Sequence, residues 1–129
     1  MLQAENRLKK VRDFNLLVKT GKWINGQFFD LKYVKLGEIF NYFPKKEDPD
    51  SFKKQLKIAF AVSVKVSKSA VKRNSLKRKA RETVRLLIKD NKVKSGYYVL
   101  LIAKKQAIAV DYAEISQEIE LLFKKAQLI

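Results

Sequence analysis

The chain contains no cysteine and no histidine, and it has only 4 glycines and 2 prolines among its 129 residues. Without cysteine the chain cannot form a disulfide, and without either residue type it lacks the ligands of a zinc knuckle. The same absences exclude a thiol nucleophile, a Ser-His-Asp triad and an imidazole general base. These classes of protein-based catalysis are therefore excluded.

Long hydrophobic runs are also missing. No apolar run approaches the ~18 residues that a membrane-spanning helix requires, and no secretory apolar segment opens the chain. Neither end carries a lipidation motif. We therefore expect a cytoplasmic protein without a membrane partner.

Acidic residues are scarce beside basic ones: 13 Asp and Glu stand against 29 Lys and Arg, a net charge of +16. Such a charge repels itself on a folded domain, so it indicates a polyanionic partner. Nucleic acid is the first candidate, because its phosphates are dense; an anionic membrane surface would call for a basic amphipathic helix or a lipid anchor. With 47% hydrophobic residues, the composition favours a single packed RNA-binding domain over the whole chain, 1–129.

Hydrophobic periodicity predicts the order helix, two or three strands, helix, strand, helix. Gly21 is predicted to stop the first helix, and Asp111, three residues before Glu114, to cap the last. Both prolines fall in a predicted mobile, polar loop over 44–55. The helices are predicted over 8–20, 67–90 and 111–125, and the strands over 28–36, 39–43, 56–66 (as a central strand) and 96–103.

The predicted helix 67–90 carries two stripes at about 100° per residue. The apolar stripe contains Leu76, Ala80, Thr83, Val84 and Leu87, and the neighbouring polar stripe contains Arg73, Asn74, Lys77, Arg78, Arg81 and Arg85. A merely solvated face would interleave acids at i±4, but here like charges stack at 73, 77, 81 and 85, which destabilises the helix. The basic stripe is therefore interpreted as a surface for an anion.

The segment 62–82, which reads VSVKVSKSAVKRNSLKRKARE, closely resembles the signature of the bacterial ribonuclease P protein subunit. The opening Arg7-Leu8-Lys9-Lys10, the pair Asp13-Phe14 and Gly21 resemble the same family. The order of the predicted strands and of the closing helix also matches. The resemblance covers nearly the whole chain apart from the loop.

The resemblance implies an α+β fold: a two-layer α/β sandwich with a β(3)-α-β-α core, an N-terminal helix and an unusual left-handed β-α-β crossover. This is the fold class of the second domain of a small-subunit ribosomal protein. It also implies the protein cofactor of a ribozyme that removes the 5′ leader of precursor tRNA. The RNA subunit would perform the hydrolysis with Mg²⁺ held mainly by RNA, and the protein, a monomer bound 1:1, would have no catalytic residue.

The resemblance further implies two groups of site residues. The basic helix would contact the catalytic RNA, and a cleft would take the single-stranded leader of precursor tRNA. The first group is Arg73, Asn74, Lys77, Arg78, Arg81, Lys72 and Arg85; the second is Phe14, Lys32, Lys65 and Tyr112. The alternatives are solvated charges for the basic residues, core packing for Phe14 and a place beside a helix cap for Tyr112.

Four positions depart from the family pattern. Ser75 replaces the last arginine of an Arg-Asn-Arg motif, and Val64 replaces the first lysine of a Ser-Lys-Lys motif. Val18 stands where many relatives have a second helix aromatic, and Lys32 where some have a strand tyrosine. The predicted leader cleft is therefore more electrostatic than in relatives.

Two other functions are compatible with parts of the sequence. A generic RNA-binding or ribosomal protein would share the charge, but not the motif. A self-sufficient metal-dependent nuclease would need clustered carboxylates, whereas Asp13, Asp30 and Glu82 are scattered along the chain. Asp13 is as readily interpreted as a helix cap, and Glu82 as a salt-bridge partner.

Overall fold

The computed structural model describes residues 6–38 and 54–129. Within these two ranges, three helices and four strands confirm the predicted α+β class. Two short 3₁₀ helices, Leu36–Glu38 and Lys105–Ala109, follow β2 and β4. In chain order the main elements are α1 (Val11–Thr20), β1 (Lys22–Asn25), β2 (Phe29–Lys35), β3 (Leu56–Ala61), α2 (Ala70–Lys89), β4 (Tyr97–Ala103) and α3 (Tyr112–Lys125).

The strands form one sheet in the order β1-β2-β4-β3. Strand β4 pairs antiparallel with β2 and parallel with β3, and α2 connects the parallel pair. The prediction of a central strand over 56–66 was wrong in place and length, because β3 borders the sheet and ends at Ala61. The apolar pattern continues past the strand since Val62 and Val66 pack on the core from the following loop. The handedness of the crossover stays a prediction.

Strand β1 was not predicted. It pairs antiparallel with β2, with Lys22 opposite Tyr33 and Asn25 opposite Asp30. Of its four residues, Ile24 is half-buried and the other three are exposed. The sequence of β1 therefore lacks the alternation of apolar and polar residues by which a strand is predicted. The predicted strand 39–43 and the part of the predicted loop at 44–53 lie outside the described residues.

Both faces of the sheet are covered. Helices α2 and α3 pack on one face over a cluster that includes Val99 and Leu101, whereas α1 packs on the other over Tyr98 and Leu100. Strand β4 is therefore apolar at every position. The structure confirms the predicted apolar stripe of α2, because Leu76, Ala80, Thr83, Val84 and Leu87 are all buried. In α3 the buried residues are Ile115, Ile119, Leu122 and Phe123.

The helix ends follow from local hydrogen bonds. The N–H of Gly21 donates to Leu17 O at 2.8 Å where α1 ends, and Asp111 Oδ1 accepts from Glu114 N at 2.9 Å where α3 begins, as predicted. Helix α1 begins three residues later than predicted. Leu8 is instead extended beside β3, where its N–H donates to Ile58 O at 3.1 Å. Leu8 is buried in the apolar cluster beneath α1, which we call the α1 cluster. Its apolar side chain therefore fitted the helical spacing of the α1 residues and extended the predicted helix.

One carboxylate of α3 holds the turn between β1 and β2. Glu118 accepts hydrogen bonds from the N–H groups of Gln27, Phe28 (2.7 Å) and Phe29 (2.8 Å). Gly26 precedes these residues, and a Cβ there would collide with the Phe29 carbonyl oxygen and approach the Glu118 carboxylate. The turn thus depends on a side chain from the opposite end of the sequence.

We expect Glu118→Gln to lower the free energy of unfolding by about 2–3 kcal/mol, because an amide has one acceptor oxygen and no charge to offer three N–H donors. Glu120→Gln on the same helix is the matched control, since Glu120 pairs with Lys124 at 3.9 Å on the surface, and it should cost about 0–0.5 kcal/mol. Urea unfolding measures both changes. Equal losses for the two variants would contradict this role of Glu118.

Candidate nucleic-acid interface

The loop before α2 sets the start of the basic helix. Ser69 is the N-cap, and its Oγ accepts from Lys72 N at 3.3 Å. Two residues earlier, the carbonyl oxygen of Ser67 accepts from Arg73 Nη1 at 2.8 Å. This bond orients the Arg73 side chain while leaving most of its five N–H donors available for a ligand.

Further along α2 the basic residues differ in their partners. Arg81 Nε donates to the carbonyl of Lys77 at 3.3 Å, whereas Asn74 and Arg78 are exposed. We call the four residues Arg73, Asn74, Arg78 and Arg81 the basic stripe. Their side chains meet no carboxylate among the described residues, so the positive charge is uncompensated.

Arg85 differs from the other arginines of the predicted stripe, because it pairs with Glu82. Its Nε and Nη2 donate to the two Glu82 carboxylate oxygens at 3.0 and 2.6 Å. This hydrogen bond lowers the pKa of Glu82 and, with the charge of Glu82 and the nearby Tyr112, raises the pKa of Arg85. Glu82 is thus the salt-bridge partner that the sequence suggested. Its negative charge offsets the positive charge that Arg85 presents to a ligand.

A groove of about 380 Å³ joins the basic stripe to α1. We call it the Phe14 groove. The half-buried ring of Phe14 enters it from α1, Lys77 and Arg81 enter from α2, and β3 lies between them. Its lining includes Arg7, Lys9, Phe14, Phe60, Lys77 and Arg81. Side chains from the two surfaces that were predicted separately therefore line one groove.

Lys32 does not reach the Phe14 groove. Its side chain is buried, its ammonium donates to the carbonyl of Val18 at 2.6 Å, and it lies 4.9 Å from the ring centre of Trp23. The structure thus gives Lys32 an internal role that ties α1 to β1 and β2. The Lys32 ammonium thus has partners inside the fold, and the assignment of Lys32 to the leader cleft stays a prediction.

Tyr112 and Lys65 are also separate from Phe14. Tyr112 begins α3, on the opposite face of the sheet from α1, and lies near Arg85 of α2. Lys65 is exposed in the loop between β3 and α2. The four predicted leader residues therefore do not line one cleft, because the sheet separates α1 from α3.

Two groove residues were missed as site residues. Arg7 and Lys9 belong to the opening Arg7-Leu8-Lys9-Lys10 motif, which was used for the resemblance alone. Because Leu8 runs extended beside Ile58, its basic neighbours are carried to the mouth of the groove. The basic motif was visible in the sequence, but the predicted helix 8–20 included Lys9, and nothing in the local pattern placed Arg7 near Phe14.

Asp13 and Asp30 each have a structural partner. Asp13 is buried in the first turn of α1 and meets Arg12 Nε at 3.1 Å, so it is an ion-pair partner and not the helix cap that was suggested. Asp30 pairs with Lys104 at 3.2 Å. Within 6–38 and 54–129, no group of three or more Asp, Glu, His or Cys side chains could hold a metal ion.

No helix in the described part of the chain is long and apolar enough to cross a membrane.

Comparisons with known proteins agree over nearly the whole chain. A family model described as Ribonuclease P matches residues 2–127. The chain is 31% identical over 128 residues to the ribonuclease P protein component of Alkaliphilus oremlandii, with 99% of this chain and 96% of the relative covered. It is 33% identical over 122 residues to that of Clostridium kluyveri, with 95% of both chains covered.

Solved structures show the same fold. The RNase P protein of Staphylococcus aureus matches with a TM-score of 0.73 at 23% identity, over 98% of both chains. That of Thermotoga maritima matches with a TM-score of 0.70 at 24% identity, over 93% of this chain and 96% of the other. Sequence, family model and fold thus agree, and the chain belongs to the ribonuclease P protein family.

Proposed function

We propose that this chain is the protein component of ribonuclease P, which binds the catalytic RNA with the basic stripe and the 5′ leader of precursor tRNA in the Phe14 groove. The observation that carries the proposal is the meeting of Phe14 with Lys77 and Arg81 in one groove. An aromatic ring beside cations suits an unpaired nucleotide, which offers a base to stack and a phosphate to neutralise.

The groove has the chemistry to distinguish precursor from mature tRNA. The two molecules share everything except the unpaired 5′ nucleotides, so a contact to those nucleotides stabilises only the precursor complex. Stacking of one base on an aromatic ring contributes about 1–3 kcal/mol. Phe14 is half-buried, which leaves part of its ring for such a contact while the rest packs beside the α1 cluster.

The basic stripe suits a structured RNA. Arginine presents a planar fork of donors that matches phosphate in a bidentate manner, and Arg73 is already oriented by its bond to Ser67. Asn74 is the next residue and Arg78 lies more than one turn further along, and both are exposed. We assign this surface to the catalytic RNA in a one-to-one complex that forms in the cytoplasm.

The proposal assigns hydrolysis to the RNA subunit. In this assignment magnesium would be held by the RNA and would supply the activated water, since the described protein side chains form no cluster that fits such an ion. The part of the protein is to bind and orient the leader and to offset phosphate repulsion where the RNAs meet.

Reconstitution tests this division of labour. The protein alone should not cleave precursor tRNA in magnesium, whereas addition of the protein to its cognate RNA should lower the magnesium concentration needed for cleavage. Gel analysis of 5′-labelled precursor measures both. Cleavage by the protein alone would overturn the assignment of hydrolysis to RNA. Binding without any effect on RNA-catalysed cleavage would indicate a plain RNA-binding protein.

The basic stripe predicts a specific salt dependence. Arg78→Gln should weaken binding to the catalytic RNA and reduce the slope of log affinity against log salt by about 0.7–0.9, the value for one released counterion. The double variant Glu82→Gln/Arg85→Gln is the control, because it removes a neutral pair and should leave the slope unchanged. Filter binding over a salt series measures the slopes. An equal reduction in both variants would make Arg85 a phosphate contact.

Phe14→Leu tests the groove, since leucine retains apolar volume but removes the ring. Precursor affinity of the holoenzyme should fall about five- to thirty-fold, which corresponds to about 1–2 kcal/mol, while mature tRNA affinity stays constant. Val11→Ala on the exposed side of the same helix is the control and should change neither affinity. A lowered melting temperature with equal losses for both tRNAs would instead make Phe14 a core residue.

A further inference from the structure

A second aromatic and basic site lies at the end of the sheet where β2 finishes and β4 begins. Lys22 is directly opposite Tyr33 in the β1–β2 pair, and Lys35 is directly opposite Tyr97 in the β2–β4 pair. Opposed residues in antiparallel strands point to the same face, as do residues two apart along a strand. The register therefore brings two lysines and two tyrosines together on the face that α2 and α3 cover.

The end of α3 leaves this corner of the sheet open. The helix stops at Lys125, and the backbone turns at Gln127, which has a φ of 62°. Leu128 returns to the core, where its N–H donates to Phe123 O at 2.9 Å. Among the described residues, a pocket of about 260 Å³ remains between Gln127 and the four strand side chains. We call it the tyrosine–lysine pocket.

The pocket combines an aromatic wall with uncompensated positive charge. The rings of Tyr33 and Tyr97 are 6.4 Å apart and tilted by 47°, with Tyr97 buried behind the half-buried Tyr33. Lys22 and Lys35 are exposed and form no ion pair with another described residue. None of the described residues that line the pocket is acidic. The Gln127 amide adds a donor and an acceptor at the rim.

We propose that the tyrosine–lysine pocket binds one unpaired RNA nucleotide, with its base against Tyr33 and its flanking phosphates on Lys22 and Lys35. A flat ring beside two cations fits a base joined to phosphates, and the volume limits the occupant to about one nucleotide. The pocket shares no lining residue with the Phe14 groove. The inference rests on the proposed function only in taking RNA as the partner.

The test is an NMR titration of the full chain with single-stranded tetra-adenylate, following ring and backbone signals. The ring signals of Tyr33 and Tyr97 should shift on addition of the RNA. Tyr33→Leu should weaken binding at this site about ten-fold, while Tyr33→Phe, which keeps the ring, should retain it. For binding at the pocket, Lys22→Gln/Lys35→Gln should reduce the slope of log affinity against log salt by about 1.4, the value for two phosphates of a single strand.

Lys68→Gln/Lys105→Gln is the control, because it removes the same charge from exposed positions outside the pocket. It should leave the salt slope at the pocket unchanged. Thermal melts would show whether Tyr33→Leu folds. If it does not, the Lys22→Gln/Lys35→Gln variant, which changes only exposed side chains, provides the test.

The outcomes separate this inference from the proposed function. If only the NMR signals of Phe14 and the basic stripe shift, nucleotide binding in the tyrosine–lysine pocket is refuted and the proposed function is retained. Equal affinity for Tyr33→Leu and Tyr33→Phe would also overturn it, because the ring would then contribute nothing. Shifts at neither surface would contradict both.

Discussion

Strand β4 is enclosed on both faces and along both edges, and this enclosure determines the position of most other elements. Its hydrogen bonds run to β2 on one side and β3 on the other. Its side chains alternate between the α1 cluster and the cluster beneath α2 and α3. A strand enclosed in this way needs a helix on each face, because either face left uncovered would expose a row of large apolar side chains to water.

The position of the candidate interface follows from that arrangement. The apolar stripe of α2 lies against the sheet, so its basic stripe turns toward the border at β3. Helix α1 covers the other face and brings Phe14 to the same border. The groove therefore forms where two layers meet at an edge strand, and neither helix could form it alone.

Periodicity was sufficient for elements with one buried side. The apolar stripe of α2 and the Asp111 cap follow from spacing and capping chemistry, which act within a few residues. The partners of Lys32 could not be predicted, because its ammonium bonds to a carbonyl of another element. The separation of Tyr112 from Phe14 depends on which face of the sheet each helix covers. Local sequence patterns carry no such information.

The turn between β1 and β2 has a temporal consequence through Glu118. The N–H group of Gln27 and its acceptor, the Glu118 carboxylate, are 91 positions apart along the chain. Ribosomes add about 5–20 residues each second, so roughly 5–20 seconds separate the synthesis of the two groups. Throughout that interval the N–H groups of Gln27, Phe28 and Phe29 lack their Glu118 acceptor. The first hairpin to be made is therefore among the last parts of the nascent protein to be locked, and the order of synthesis is not the order of folding.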